Sequence, residues 1–173
     1  MQPSVPYDDP ISPPIKPKKM RRKDRKIKDK AGIERIIKKA LVCRVALSDG
    51  NSPYVFPVCF GFKDGCLYFH SAQEGRKIEI LRKNNKVCFE MDIDTELVES
   101  EKGCEWGIRY SSVIGFGTAS FVEDVEEMKK ALGILFEHYS GKKYEFSEQS
   151  LEQVTVIKIQ VESLTGKSSL LEG

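Results

Sequence analysis

The alternation of apolar and polar positions along this chain predicts strands over most of its length, interrupted by helical spacing at three places. The pattern becomes regular at Asp29, which stands where a helix N-cap would, ahead of Ile33, Ile36, Ile37 and Ala40 on one apolar face. A strand from Leu41 to Ser48 leads through Asp49-Gly50-Asn51-Ser52-Pro53 into a second, Tyr54 to Lys63. Asp64-Gly65 is a hairpin-type turn into a third, Cys66 to Ser71. Val87 to Ile93 reads as the fourth strand, and a polar loop from about Asp94 to Gly107 follows it. Arg109 to Glu123 reads as a long fifth strand, bent or bulged at Gly115 and Gly117. Asp124 then caps a helix to about Tyr139, with Met128, Ala131, Leu132, Leu135 and Phe136 on its buried side and Gly141 as its stop. Val154 to Leu164 alternates as the sixth strand. Six strands with hairpin-type or sequential links and peripheral helices imply a small barrel, α+β overall and mainly antiparallel β. A parallel nucleotide-binding fold is disfavoured, since too few helices separate the strands and no glycine-rich phosphate loop follows one. The string Gly166-Lys167-Ser168-Ser169 lacks the upstream glycine of a Walker motif.

The segment from Phe69 to Leu81 carries the most chemistry. It ends a strand, and Ser71 followed three residues later by Glu74 has capping-box spacing, which predicts a helix beginning near Ala72 with Ile78, Ile80 and Leu81 on its apolar side. Arg76 and Lys77 then fall in the first two turns, where the helix dipole already favours an anion and disfavours a cation. A phosphate between them and the free amides resolves the conflict, since an Arg suits bidentate contact and a Lys supplies a point charge. The competing account is a pair of solvated helix residues continuing into Arg82 and Lys83.

Charge changes the picture at the N-terminus. Residues 16 to 30 hold ten Lys or Arg against Asp24 and Asp29, a local net of +8, so the rest of a chain with net charge +2 sums to −6. Residues 1 to 17 hold six of the eight prolines, which predicts an extended arm. The basic run can bind nucleic acid or anionic lipid, clamp the acidic body or a partner, or stay solvated. It lacks interleaved aromatics and a recognisable nucleic-acid motif, which argues against nucleic acid. No apolar run approaches the roughly 20 residues of a membrane helix, and no apolar stretch follows the basic N-terminus as in a secretion signal, so the cytoplasm is the expected compartment. Cys43, Cys59, Cys66, Cys88 and Cys104 form no Cys-x-x-Cys pair and read as free thiols in apolar runs, neither a zinc site nor a disulfide framework. Cys104, near Trp106 in the polar loop, is the accessible exception.

Arg21 to Asp29, Cys43 to Glu90 and Tyr110 to Ala119 together resemble the pyridoxamine 5'-phosphate oxidase-related flavoproteins, and within them the nitroimidazole-resistance branch. The resemblance runs from about Met20 to Lys167. It implies a six-stranded split β-barrel (residues 20–167, between a Pro-rich arm 1–19 and a tail 168–173) that forms a homodimer and binds FMN at the subunit interface. Residue by residue it places Tyr54, Val55, Phe56, Pro57 and Val58 along the flavin edge, and His70 and Ser71 at the turn after the next strand. Arg76 and Lys77 fall on the phosphate, and Ser112 on a polar position facing the flavin across the interface. His70 is the candidate catalytic residue by the same resemblance, against a structural role at a strand end. His138 needs no role beyond its helix terminus, Trp106 either caps the barrel or flanks the ring, and Lys167 reads as an exposed residue. No metal is implied. The C-terminal arginine motif of true pyridoxamine phosphate oxidases is absent, which argues against vitamin B6 oxidation. The activity expected is reduction of small electron-poor compounds such as nitroaromatics, with a reduced nicotinamide as donor. The alternatives are a flavin, haem or deazaflavin carrier, or a module tethered to nucleic acid.

Overall fold

The computed structural model describes residues 20–169, so the arm 1–19 and the last residues, 170–173, lie outside it. Residues 20–30, at the end of the basic run, are joined to the body: after a 3-10 turn, β1 (Lys26–Ile27) pairs antiparallel with the last strand. Asp29 caps α1 (Lys30–Lys39), accepting the Gly32 N–H at 2.6 Å, and Ile36 and Ile37 enter the core. Replacing Asp29 by Ala is expected to lower stability by about 1 kcal/mol, measured as a shift of the urea midpoint without change of slope.

The remaining strands are β2 (Cys43–Asp49), β3 (Ser52–Val58), β4 (Gly61–Lys63), β5 (Cys66–Ser71), β6 (Lys86–Val98), β7 (Gly107–Val122) and β8 (Thr155–Ser168). They form one antiparallel sheet in the order β3-β2-β6-β7-β8-β5-β4, with β1 added beside β8. The expected mainly antiparallel split barrel is present, and its sheet is not closed: β3 and β4 are the two ends. Phe56 of β3 and Phe69 of β5 nevertheless meet across the interior, with ring centroids 6.1 Å apart. Phe60, Leu67, Phe89, Met91 and Ile159 complete this core without exposed surface.

Several boundaries differ from the sequence pattern. The run from Tyr54 to Lys63 is two strands, because the chain leaves β2 at Cys59 and Phe60 to pair with β5 instead. The loop predicted from Asp94 is ladder as far as Val98, after a register shift between Ile93 and Glu96 where Asp94 takes φ 54°. β8 runs four residues past Leu164.

Two more helices brace the sheet. Asp124 caps α3 (Val125–Ser140), which ends at Gly141 in the left-handed region as its sequence position suggests, and α4 (Glu148–Leu151) follows. Met128, Ala131, Leu132 and Leu151 pack on Val122 and Val156, a second apolar cluster on the far side of the sheet. His138 does more than complement its helix end. Its Nε2 lies 2.8 Å from the Ala40 carbonyl and its ring 4.6 Å from that of Phe60, tying α3 to the segment between α1 and β2. Among the described residues no helix is long and apolar enough to cross a membrane.

Candidate functional site

The helix carrying the Arg-Lys pair starts later than its capping-box spacing suggests. Ser71 remains in β5, paired with Thr155 of β8, and α2 (Arg76–Lys83) begins after Gly75, whose φ of 117° suits glycine. No side chain caps α2, so its first backbone N–H groups are left for another acceptor. The predicted capping bond from Ser71 is therefore absent. Its hydroxyl is buried instead, without a hydrogen-bond partner among the described residues. An unsatisfied buried hydroxyl costs about 1–3 kcal/mol, which a ligand oxygen would recover.

The same end of the barrel gathers the two cations and the edge strand. The Arg76 guanidinium lies 4.9 Å from the Tyr54 ring centroid and 4.0 Å from Asp49 Oδ2, and Lys77 Nζ lies 5.0 Å from the centroid of Phe56. Pro57 is tolerated because β3 ends the sheet, where a missing N–H breaks no interior ladder. Along β3, Phe56 faces the core while Val55 and Pro57 point the other way, Val55 with 64% of its surface exposed. Arg76 and Lys77 are thus brought against Tyr54 and Phe56, in the strand Tyr54 to Val58, while Ser71 stands at the end of β5, five residues ahead of Arg76. His70 alternates with Phe69 and Ser71, so its side chain leaves β5 on the opposite, exposed side and makes no hydrogen bond or ion pair among the described residues.

Ser112 does not join this group within one chain. It lies on β7, with β2 and β6 between it and β3, and it alternates with the core residue Val113, which turns it to the outer face of the sheet. That face holds residues the sequence pattern does not single out. Arg44 donates to Asp92 Oδ1 at 2.6 Å and to Glu90 Oε2 at 3.1 Å. Burial first, and then the neighbouring Asp92 charge, pushes the Glu90 carboxyl above its ordinary range, with Arg44 opposing. Lys167, which looked like a solvated residue, is half-buried directly across the ladder from Ser112 and donates to Tyr110 Oη at 2.8 Å. None of these pairs is local in sequence, so only the register reveals them. Trp106 stands at the turn of the β6–β7 ribbon, half exposed, its Nε1 donating to the Ser100 carbonyl.

The thiols follow their surroundings. Burial pushes Cys43 up to about 12, which suits a small core residue, and Cys66 is buried beside Gln160. Cys104 is exposed as expected, and Cys59 is exposed too, where the chain crosses from β3 to β4.

The open antiparallel sheet, with an uncapped and doubly cationic start to α2 and an unsatisfied buried hydroxyl on β5, places the chain in the class of split-barrel proteins. The family model described as pyridoxamine 5'-phosphate oxidase matches residues 29–168, and the chain belongs to that family. Among solved structures it is similar to a putative 5-nitroimidazole antibiotic resistance protein from Bacteroides thetaiotaomicron, at 38% identity over 82% of this chain and 85% of that one, with TM-score 0.74. The FAD and haem binding protein of Mycobacterium smegmatis shares the fold at 16% identity, covering 84% of this chain and 74% of that one, with TM-score 0.75. A FAD-binding protein from Mesorhizobium loti does so at 22% identity, covering 84% and 97%, with TM-score 0.61. No curated protein sequence matches the chain.

Proposed function

We propose that this protein is an FMN-dependent oxidoreductase that reduces small electron-poor compounds of the nitroaromatic kind in the cytoplasm, working as a homodimer with flavin at the subunit interface. The observation that carries the reading is the buried, unpartnered Ser71 hydroxyl together with the uncapped start of α2, which follows it in the chain and carries Arg76 and Lys77. A terminal phosphate monoester supplies acceptors for all of these at once, which favours FMN. Tyr54 to Val58 would then flank the ring, with Val55 and Pro57 on the outer side of the edge strand.

The division of the site supports the dimer. Strands stand between Ser112 and the Arg76 and Lys77 of its own chain, the proposed phosphate cradle, whereas a second copy laid on the outer face would bring Ser112 to that cradle. That face exposes Val55, Ile114 and the cross-strand pair Leu97 and Ile108, apolar surface suited to burial by a partner. Bound flavin would supply hydride and electron transfer, and the chain's own residues would hold the phosphate, shape the ring pocket and exclude water. His70, exposed at the end of β5, would be the proton source for reduced substrate. Similarity to the Bacteroides protein supports the substrate class.

The test is a visible spectrum of purified protein titrated with FMN, followed by anaerobic reduced nicotinamide. Saturable binding and bleaching of the flavin band are the expected results, and a nitroaromatic substrate should then restore the band. Absence of FMN binding would overturn the reading.

A further inference from the structure

We propose that Lys167 acts across the subunit interface as the cation set against the flavin ring held by the partner copy's cradle, with Tyr110 keeping it in position. This rests on the interfacial flavin reading above and assigns a residue that the reading does not use.

The argument starts from the ammonium's company. Lys167 is half-buried, yet its partners are the neutral Tyr110 hydroxyl at 2.8 Å and the Tyr110 ring, whose centroid lies 5.3 Å away. No carboxylate lies within ion-pair distance of it among the described residues, whereas Lys39, Lys86, Lys129 and Lys158 each have one. The acids on this face are already taken, since Arg44 holds both Glu90 and Asp92. On the far side of Lys167 the ladder partner is Lys26, another cation. The outer face is therefore acidic near β2 and β6 and cationic near β8 and β1, with Ser112 between. A partly buried ammonium whose neighbours are a neutral hydroxyl and another cation is placed to receive a negative group that arrives there.

Tyr110 is well placed to hold the ammonium. Its backbone N–H donates to Ser169 Oγ at 2.6 Å and its carbonyl accepts the Ser169 N–H at 2.9 Å, which fixes the end of β8 against β7. The negative group that the proposed reaction creates is the ring itself. When a hydride leaves a reduced nicotinamide, which becomes oxidised nicotinamide, and bonds to the flavin, nothing departs from the ring and one negative charge is added to it. An ammonium on the face that presents Ser112 compensates that charge without donating a proton. Within one chain β2, β6 and β7 separate the β8 of Lys167 from β3, and β5 reaches α2 beside Thr155, at the opposite end of β8 from Lys167, so the ring it serves is the other copy's.

The experiment uses FMN-loaded protein and sulfite, which adds to oxidised flavin, bleaches its visible band and leaves a negative charge on the ring. Lys167→Met is expected to weaken sulfite binding about tenfold or more at unchanged FMN stoichiometry and dimer mass. Lys167→Arg should stay near wild type and Tyr110→Phe should fall between. A purely structural lysine would alter loading or stability and leave sulfite affinity alone. If Lys167→Met fails to load, the comparison of Tyr110→Phe with Lys167→Arg carries the test, with weakening in the first and retention in the second.

A mixed dimer, isolated through two different tags, separates the two chains' roles. One copy carries Arg76→Ala with Lys77→Ala and the other carries Lys167→Met. Its one surviving site combines an intact cradle with the other copy's intact Lys167, so wild-type sulfite affinity is expected there. Weak affinity at that site would mean that Lys167 acts within its own chain and would overturn the proposal. Loaded Lys167→Met dimers with wild-type sulfite affinity would also overturn it, while leaving the flavin reading standing. Wild-type protein that binds no FMN, or yields no mixed dimer, would remove the reading beneath it.

Discussion

Replacing Arg76 and Lys77 together by alanine is expected to weaken FMN binding by at least about a hundredfold while leaving the empty protein as stable as before. Hydrogen bonds to charged groups are each worth about 1.5–3 kcal/mol. Arg76 is half exposed and already shares Asp49, which argues for the lower end of that range. Two such losses still amount to roughly 3 kcal/mol, more than a hundredfold in affinity. Stability should move little, because the terms offset. Two cations at a helix N-terminus oppose the macrodipole by about 0.3–1 kcal/mol each, and their stacking on Tyr54 and Phe56 returns about 0.5–1 kcal/mol each. Thermal melts of the apo variants and fluorescence titration with FMN check the two halves separately. Arg82→Ala with Lys83→Ala, at the other end of α2, is the control and should keep FMN affinity within about twofold. Full flavin occupancy in the Arg76 and Lys77 double variant would remove the cradle assignment.

The elements that could be read from the sequence are those closed by local chemistry. Asp29 and Asp124 accept N–H groups three residues on, Gly141 takes the left-handed C-cap, and Asp64-Gly65 turns with both residues at positive φ. Each needs only its immediate neighbours. Ser71 and Glu74 offered the same local signal and failed, because the ladder from Ser71 to Thr155 extended β5 and only the flexible Gly75 could then start the helix. A nonlocal sheet bond outranked a local cap. Ile27 was concealed for a related reason: a two-residue strand with a single apolar residue among cations shows no period, and only its pairing with Gly166 makes it a strand. The candidate site divides along the same line. The cations on α2 and the proline-bearing edge strand were legible from the motif, while the stacking of one on the other, the sharing of Arg44 by two carboxylates and the burial of Lys167 depend on register between strands far apart in the chain.

The strand that carries Ser112 is held by a contact with a large and separable energy. Gly115 of β7 faces Phe89 of β6 across the ladder, and the Phe89 ring, with no exposed surface, lies over it. A Cβ at Gly115 would sit 2.1 Å from Phe89 Cζ and 2.6 Å from its Cε atoms, well inside contact distance. The ring has nowhere to retreat, since it is enclosed by the same core that holds Val45 and Met91. Gly115→Ala is therefore expected to cost about 3 kcal/mol, at the upper end of ordinary overpacking, which lowers the melting temperature by roughly 6–12 °C in a domain of this size. Phe89→Ala alone should cost about 3–5 kcal/mol through the cavity it leaves. In that background the added methyl enters space the ring has vacated, so Gly115→Ala should then cost close to nothing. The double-mutant cycle thus predicts a coupling of roughly 3 kcal/mol in magnitude, read from urea unfolding of the four proteins. Additive losses would mean that the glycine is required for the bend of β7 itself and not to make room for the ring. FMN affinity adds a functional readout, because a β7 pushed off its register by the methyl would displace Ser112 from the outer face while leaving Arg76 and Lys77 untouched.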